Sequence, residues 1–226
     1  MKLVCLGDSL TWGGYGGSYV EELRKLMPEH EIINAGEGGN TVVNLVRRLN
    51  DDVLSHQPDG VFIMVGGNDA ISNCQPKTRS YYRQGQGIDN GEIDLHEFES
   101  GYRTLLTELH LAHVLVWVGL PPIEYNPVTV ATLKTYNERA ALVARSLNVP
   151  VLDLMAAMNP PEIPDRPELD IGFILTIGAR EKRGWADYET ARAEGNFTYT
   201  FDGLHFTPES AHKAAELIAA FIRAEA

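Results

Sequence analysis

Lys2-Leu3-Val4-Cys5-Leu6-Gly7-Asp8-Ser9-Leu10-Thr11 opens the chain with a short apolar run that stops at a glycine and a hydroxyl-bearing turn. So short a run, bounded by Gly and Asp, reads as a strand covered on both faces rather than as a helix. Runs of the same kind recur at 31–35, 60–65, 113–118 and 149–154. Between them lie stretches with apolar residues at helical spacing, at 18–27, 41–54, 98–112 and 128–147, with a last one at 208–224. Strand and helix therefore alternate. Right-handed crossovers between parallel strands place helices on the sheet faces. The pattern thus predicts an α/β, flavodoxin-like, doubly wound fold: a five-stranded parallel sheet with helices on both faces.

A length of 226 residues suits one sizeable core, so a single domain over 1–226 is expected. Two segments break the rhythm, near 72–97 and near 159–199, the second opening with Pro160, Pro161, Pro164 and Pro167. Both read as insertions at loop positions, where long segments tend to carry function. A formal net charge of −12 argues against nucleic acid as a partner, because phosphate neutralisation needs clustered Lys and Arg. Cys5 and Cys74 form neither a disulfide framework nor a zinc spacing. The first apolar run is shorter than the roughly 7–15 residues of a secretory core, and no stretch approaches the about 18 that would span a bilayer. A soluble, cytoplasmic protein acting on a small molecule, with no cofactor and no metal, is the expectation.

Chemistry is expected at the carboxyl ends of the strands, where ligands bind in such sheets. The first strand runs into Gly7-Asp8-Ser9-Leu10-Thr11, the second into Asn34-Ala35-Gly36-Glu37-Gly38-Gly39-Asn40-Thr41, the third into Gly66-Gly67-Asn68-Asp69. Taken singly, each has a bland reading: Asp8 and Ser9 as cap residues, the glycines as a tight turn or a degenerate dinucleotide fingerprint, Asn68 as an Asx-turn. Together they bring a hydroxyl, Gly-turn N–H groups and a side-chain amide to one rim, which is what acyl transfer asks of its nucleophile and oxyanion donors. Asp202-Gly203-Leu204-His205-Phe206-Thr207-Pro208 precedes the last helix, whose N-cap and first turn are marked by Thr207 and Pro208. Asp and His three apart can share a cleft, the carboxylate accepting from one ring nitrogen while the other takes a proton from Ser9.

The Gly-Asp-Ser-Leu start, Gly36-x-x-Gly39-x-Thr41, Gly66-x-Asn68-Asp69 and Asp202-x-x-His205, in this order from Gly7 to His205, resemble the SGNH hydrolases, also called GDSL esterases and lipases. The resemblance implies a carboxylic ester hydrolase working through an acyl-enzyme. Ser9 would be its nucleophile, His205 its base and Asp202 the group that orients the base. The oxyanion hole would comprise the N–H groups of Ser9 and Gly39 and the amide of Asn68, supported by Asp8 and Thr41. Asn40 departs from the pattern, since many members carry Asp there. A helix starting at Ser9 would further favour developing negative charge.

Asn90-Gly91-Glu92-Ile93-Asp94-Leu95-His96-Glu97 resembles half of a calcium loop, but Gln86 and Ile88 stand where its other ligands would be. A hairpin turn at Asn90-Gly91 and a capping box of Asp94 with Glu97 are expected instead. The first insertion carries Lys77, Arg79, Tyr81, Tyr82 and Arg83, the second Arg180, Lys182, Arg183 and Trp185. Aromatic faces with cationic donors suit a short acyl group, acetyl above all, on a polar leaving group such as a sugar. The same residues also fit a solvated surface. Alternatives are an acyltransferase or a lysophospholipase- or thioesterase-type hydrolase on the same site, or a non-catalytic module that binds carbohydrate or protein. A flavin or nucleotide binder ranks last, for want of a phosphate-binding loop.

Overall fold

The computed structural model describes residues 1–158 and 160–225. Five parallel strands, β1 (Lys2–Gly7), β2 (Glu31–Gly36), β3 (Gly60–Met64), β4 (Leu115–Leu120) and β5 (Val151–Asp153), form one sheet in the order β2-β1-β3-β4-β5. This is the doubly wound order anticipated above. The direction in which successive strands are added across the sheet reverses between β1 and β3, the position at which such sheets open a crevice.

The helices are α1 (Ser9–Trp12), α2 (Tyr19–Leu26), α3 (Val42–Asp52), α4 (Gly67–Cys74), α5 (Arg79–Gly85) and α6 (Leu95–Leu111). They continue with α7 (Pro127–Ser146), α8 (Leu154–Ala157), α9 (Ile171–Glu181), α10 (Tyr188–Glu194) and α11 (Pro208–Glu225). The strand period of two sorts the core into layers. Leu3 and Cys5 of β1, Phe62 and Met64 of β3 and Trp117 of β4 share one core with α2 and α11, while Val4, Leu6, Val61, Ile63 and Val118 share the other with α3, α6 and α7. Each fully buried aliphatic or aromatic side chain contributes roughly 1.5–3 kcal/mol. Ala211, Ala214, Ala215 and Ala219 let α11 lie close against its neighbours.

Two strands begin two residues later than the apolar runs suggest. His113 adopts φ +58° and Asn148 φ +55°, and the amides that follow, Val114 and Val149, bond back to Leu109 and Ala144. Each pair closes its helix with a left-handed residue, so the first apolar residues of the run belong to a helix cap and not to a strand. The insertions are helical. The first contains the end of α4, a short 3-10 turn at Pro76–Thr78 and α5; the second contains α9 and α10. Asn90-Gly91 forms a turn, with Gly91 at φ +70°, but it joins α5 to α6 rather than two strands. There it is tied back to α5, Ile88 N–H donating to the Tyr82 carbonyl, so no strand partner is available. The capping box is present: Asp94 accepts the Glu97 N–H at 2.8 Å and Glu97 accepts the Asp94 N–H at 3.3 Å. Among the described residues no helix is long and apolar enough to cross a membrane.

Candidate active site

Asp8 is buried at the end of β1 and accepts the Leu10 N–H at 3.0 Å, which sets Ser9 as the first residue of α1. Gly13, at φ +66°, ends α1 after a single turn. The expected contribution of a helix at Ser9 is therefore small, since a macrodipole sums over aligned peptides and the next helix starts only at Tyr19.

The Asp202–His205 loop folds back on itself. Asp202 Oδ1 accepts the N–H groups of Leu204 at 2.9 Å and His205 at 2.7 Å, while Oδ2 lies 2.6 Å from His205 Nδ1. Nε2 of the same ring is 3.0 Å from Ser9 Oγ. Both partners of the Asp–His pair are buried. A proton on Nδ1, held by the carboxylate, leaves Nε2 as an acceptor for the serine hydroxyl. Burial alone would lower the His205 pKa; the negative charge of Asp202 and its hydrogen bond outweigh that, so the net shift is upward. Tyr15 meets the ring edge-on at 5.4 Å and Phe201 stacks on it at 6.1 Å.

The loop is anchored by Glu124, which follows β4 and is fully buried. Its carboxylate accepts the N–H groups of Thr198, Tyr199 and Thr200 and the Thr200 hydroxyl, all within 2.9 Å, while its own N–H donates to the Gly203 carbonyl. Charge-assisted bonds of this kind are the strong ones.

On the other side of Ser9, Asn68 at the start of α4 donates from Nδ2 to the Asn40 carbonyl at 3.0 Å and faces Asp8 Oδ2 at 3.3 Å; its Oδ1 accepts from the Tyr82 hydroxyl at 2.8 Å. Gly39 adopts φ +81°, a conformation that favours glycine, and packs so closely under Tyr81 Oη that a Cβ would fall 2.1 Å from it and displace the phenol. Thr41 caps α3 and bonds Asn44 through its N–H and its hydroxyl, serving the turn rather than the cleft. Asn40 takes the place of an Asp without loss of bonding, because its Oδ1 accepts from Arg48 at 2.8 Å and its Nδ2 donates to Gln86 at 3.2 Å. Asp69 is buried and accepts the Val42 N–H at 3.0 Å, tying α4 to the start of α3. Burial pushes the Asp8 carboxyl up to about 6 and that of Asp69 up to about 8.

Ser9, Gly39, Asn68 and His205 line a cleft of about 320 Å³. Both insertions reach it. The first supplies Tyr81 and Tyr82, the second Leu169, Ile171, Ile174 and Leu175, with Ile123 from the loop after β4. The cationic side chains do not. Lys77 pairs with Glu168, Arg79 with Glu92, and Arg180 lies 4.0 Å over the Trp185 ring, while Arg83, Lys182 and Arg183 are exposed. Each finds a local carboxylate, a ring or solvent, which suits a strongly hydrated charge better than an apolar cleft.

A family model described as GDSL-like lipase/acylhydrolase matches residues 5–212. The chain belongs to this family. It is 36% identical over 179 residues to an acetylxylan esterase from Geobacillus stearothermophilus, covering 70% of this chain and 78% of the relative. Among solved structures, an acetylxylan esterase from the same organism superposes with a TM-score of 0.68 at 21% identity, covering 98% of this chain and 93% of that one. A lipase/acylhydrolase from Enterococcus faecalis gives 0.66 at 23% identity, covering 99% and 96%. At such identities the two structures bear on the fold alone.

This GDSL hydrolase is thus a carboxylic ester hydrolase. Several residues of its site carry no local signal. Glu124 looks like an ordinary loop glutamate, and Arg48 like a solvent-facing helix residue, yet Arg48 bonds the carbonyls of both Gly7 and Ala35 at 2.8 Å, at the ends of β1 and β2. The Ile171-Gly172-Phe173-Ile174-Leu175 run was a usable signal, being apolar within a segment otherwise read for its charges. Among the described residues no group of three or more His, Cys, Asp or Glu could hold a metal ion.

Proposed function

We propose that the chain is a serine esterase that removes short acyl groups, acetyl above all, from a polar, carbohydrate-like substrate through an acyl-enzyme on Ser9. The observation that carries the mechanism is the continuous chain Asp202 Oδ2, His205 Nδ1, His205 Nε2, Ser9 Oγ, with contacts of 2.6 and 3.0 Å. Ser9 Oγ attacks the ester carbonyl as its proton passes to Nε2; the leaving alcohol then takes that proton and departs. Water, deprotonated by the same nitrogen, releases the acid and restores Ser9. The N–H groups of Ser9 and Gly39 and the Asn68 amide stabilise the oxyanion. Of the two Nδ2 protons, the one facing Asp8 across 3.3 Å makes the longer contact and is the one the substrate oxygen can share without any rotation of the amide.

Support for the substrate class comes from the 36% identical relative, an acetylxylan esterase. It comes also from a second cleft that shares Tyr81, Leu169, Ile171 and Leu175 with the first and adds Ser80, Gln84, Lys77 and Asp170, a polar course for the leaving group. The apolar wall at Ile171, Ile174 and Leu175 favours a second reading, a longer acyl chain as in lysophospholipase- or thioesterase-type hydrolases. p-Nitrophenyl esters from acetate to decanoate, assayed beside acetylated xylose and xylo-oligosaccharides, separate the two. Acetate and the acetylated sugars should give the highest kcat/KM; activity that climbs steadily to decanoate would replace the first reading by the second.

A further inference from the structure

We infer that the first insertion positions the oxyanion-binding groups, with Tyr82 setting the direction of the Asn68 amide. The inference rests on the oxyanion role proposed above for Asn68 and Gly39. Tyr82 is 1% exposed, and its hydroxyl donates to Asn68 Oδ1 at 2.8 Å. A carbonyl oxygen has no proton to give, so the direction of this bond is fixed. Together with the Asn40 carbonyl and the Asp8 carboxylate, this bond sets which end of the amide faces the cleft. Turned over, the amide would set its oxygen against the Asn40 carbonyl and the Asp8 carboxylate, acceptor against acceptor, and its NH2 group against the phenol. Burial holds the Tyr82 hydroxyl well above its ordinary pKa, so it remains a donor at any working pH.

The same short span grips the second donor. Gln86 Nε2 donates to the Gly38 carbonyl at 3.3 Å, its Oε1 accepts from Asn40 at 3.2 Å, and its own carbonyl accepts from Asn44 at 2.8 Å. Gly39 lies inside that grip, beneath Tyr81 Oη. A segment that interrupts the strand-helix alternation thus touches the carboxyl-end loops of both β2 and β3. Donors that are fixed before charge develops need no reorganisation during the reaction, and a freely rotating amide would forfeit that advantage.

Tyr82 could instead be only a large buried ring. Tyr82→Phe keeps the ring and removes the bond, so the two roles separate. Made in the wild type and in Asn68→Ala, and assayed on p-nitrophenyl acetate, it should lower kcat about five- to tenfold in the wild type with KM within about twofold. In the Asn68→Ala background it should cause no further loss, since the group it directs is gone. Tm should fall by a few degrees at most, on the order expected for one neutral hydrogen bond. An unchanged kcat, a loss confined to KM, or the same fold-loss in both backgrounds would overturn the inference and leave the oxyanion role of Asn68 standing. A normal kcat for Asn68→Ala itself would instead remove that role, and the inference with it.

Discussion

The two insertions flank Ser9 and work by opposite means. The first, around α5, meets the site through hydrogen bonds: Tyr82 to Asn68, Gln86 to the 38–40 turn, Asn44 to the Gln86 carbonyl. The second, around α9, meets it through side-chain surface, with Ile171, Ile174 and Leu175 forming a wall. Hydrogen bonds are angular and fix the direction of a donor, whereas apolar contacts are not and fix only a volume. Changes on the first flank should therefore appear in kcat. Changes on the second should appear in KM and in the choice of acyl group.

The comparison presupposes a reacting centre that both flanks serve, and the largest effect should come from removing it. Ser9→Ala or His205→Ala is expected to reduce ester hydrolysis by on the order of 10⁴-fold or more while both keep the far-UV spectrum and Ser9→Ala keeps the Tm of the wild type. A fluorophosphonate should label the wild type at Ser9, read by peptide mass spectrometry. Near wild-type turnover in either variant, or a label elsewhere, would leave the flanks without a common centre. In the wild type kcat/KM should fall on the acid side as His205 becomes protonated, with a midpoint above the ordinary histidine value of about 6.5, because Asp202 raises it. A profile flat through acid pH would remove His205 as the base.

Beside the hydrogen-bonded flank, Asn68→Ala should lower kcat by on the order of 10² to 10³ with KM little changed, since the role proposed for the amide is on charge that exists only in the transition state. A loss confined to KM would make this flank a ground-state binder and erase its distinction from the other. On the apolar flank, Ile174→Ala should leave kcat on acetate within about twofold. It should raise the octanoate-to-acetate ratio of kcat/KM by up to about tenfold, a methylene or two being worth about 1–3 kcal/mol in such a pocket. An unchanged ratio would mean that the wall does not meet the acyl group.

The flanks also differ in how far the sequence reveals them. That Ser9, Gly39, Asn68 and His205 line one cleft was legible because each lies within a few residues of a strand end or a helix start, where topology dictates position. The doubly wound parallel sheet followed from alternation, while the onsets of β4 and β5 slipped, where His113 and Asn148 adopt left-handed conformations that leave little mark on composition. That both insertions reach the rim was also readable. Their chemistry was not. Lys77, Arg79 and Arg180 fit either a polar substrate or a solvated surface in the sequence; in the fold they pair with Glu168, Glu92 and the Trp185 ring, and of the three only Lys77 lines the second cleft. Glu124 was invisible because its partners lie more than seventy residues away along the chain, and no local pattern announces a contact of that kind.

The last predicted effect concerns stability rather than activity, and it follows from the buried carboxyls beside the first flank. Asp8 and Asp69 are carboxyls placed in the interior to cap and tie loops, and burial raises them to about 6 and about 8. For Asp69 the folded chain still binds a proton in a pH range where the unfolded chain, with an ordinary Asp value near about 3.9, has lost it. The unfolded state then binds fewer protons, so stability declines as pH rises from about 4 to about 8 and levels off above. The rise of the His205 pKa acts elsewhere on the curve, favouring the fold below the unfolded histidine value and losing that benefit as pH passes the folded one; it is common to wild type and variant. Asp69→Asn keeps an oxygen for the Val42 N–H and mimics the protonated acid. The difference in unfolding free energy between variant and wild type should therefore grow in the variant's favour from pH 5 to pH 8, as read by urea denaturation at unit steps. Ile174→Ala supplies the contrast, since an apolar wall binds no protons and its penalty should be the same at every pH. Parallel curves for Asp69→Asn and wild type would show that the carboxyl on the polar flank titrates like an exposed one, and the physical difference drawn between the two flanks would then fail at the residue that ties α4 to α3.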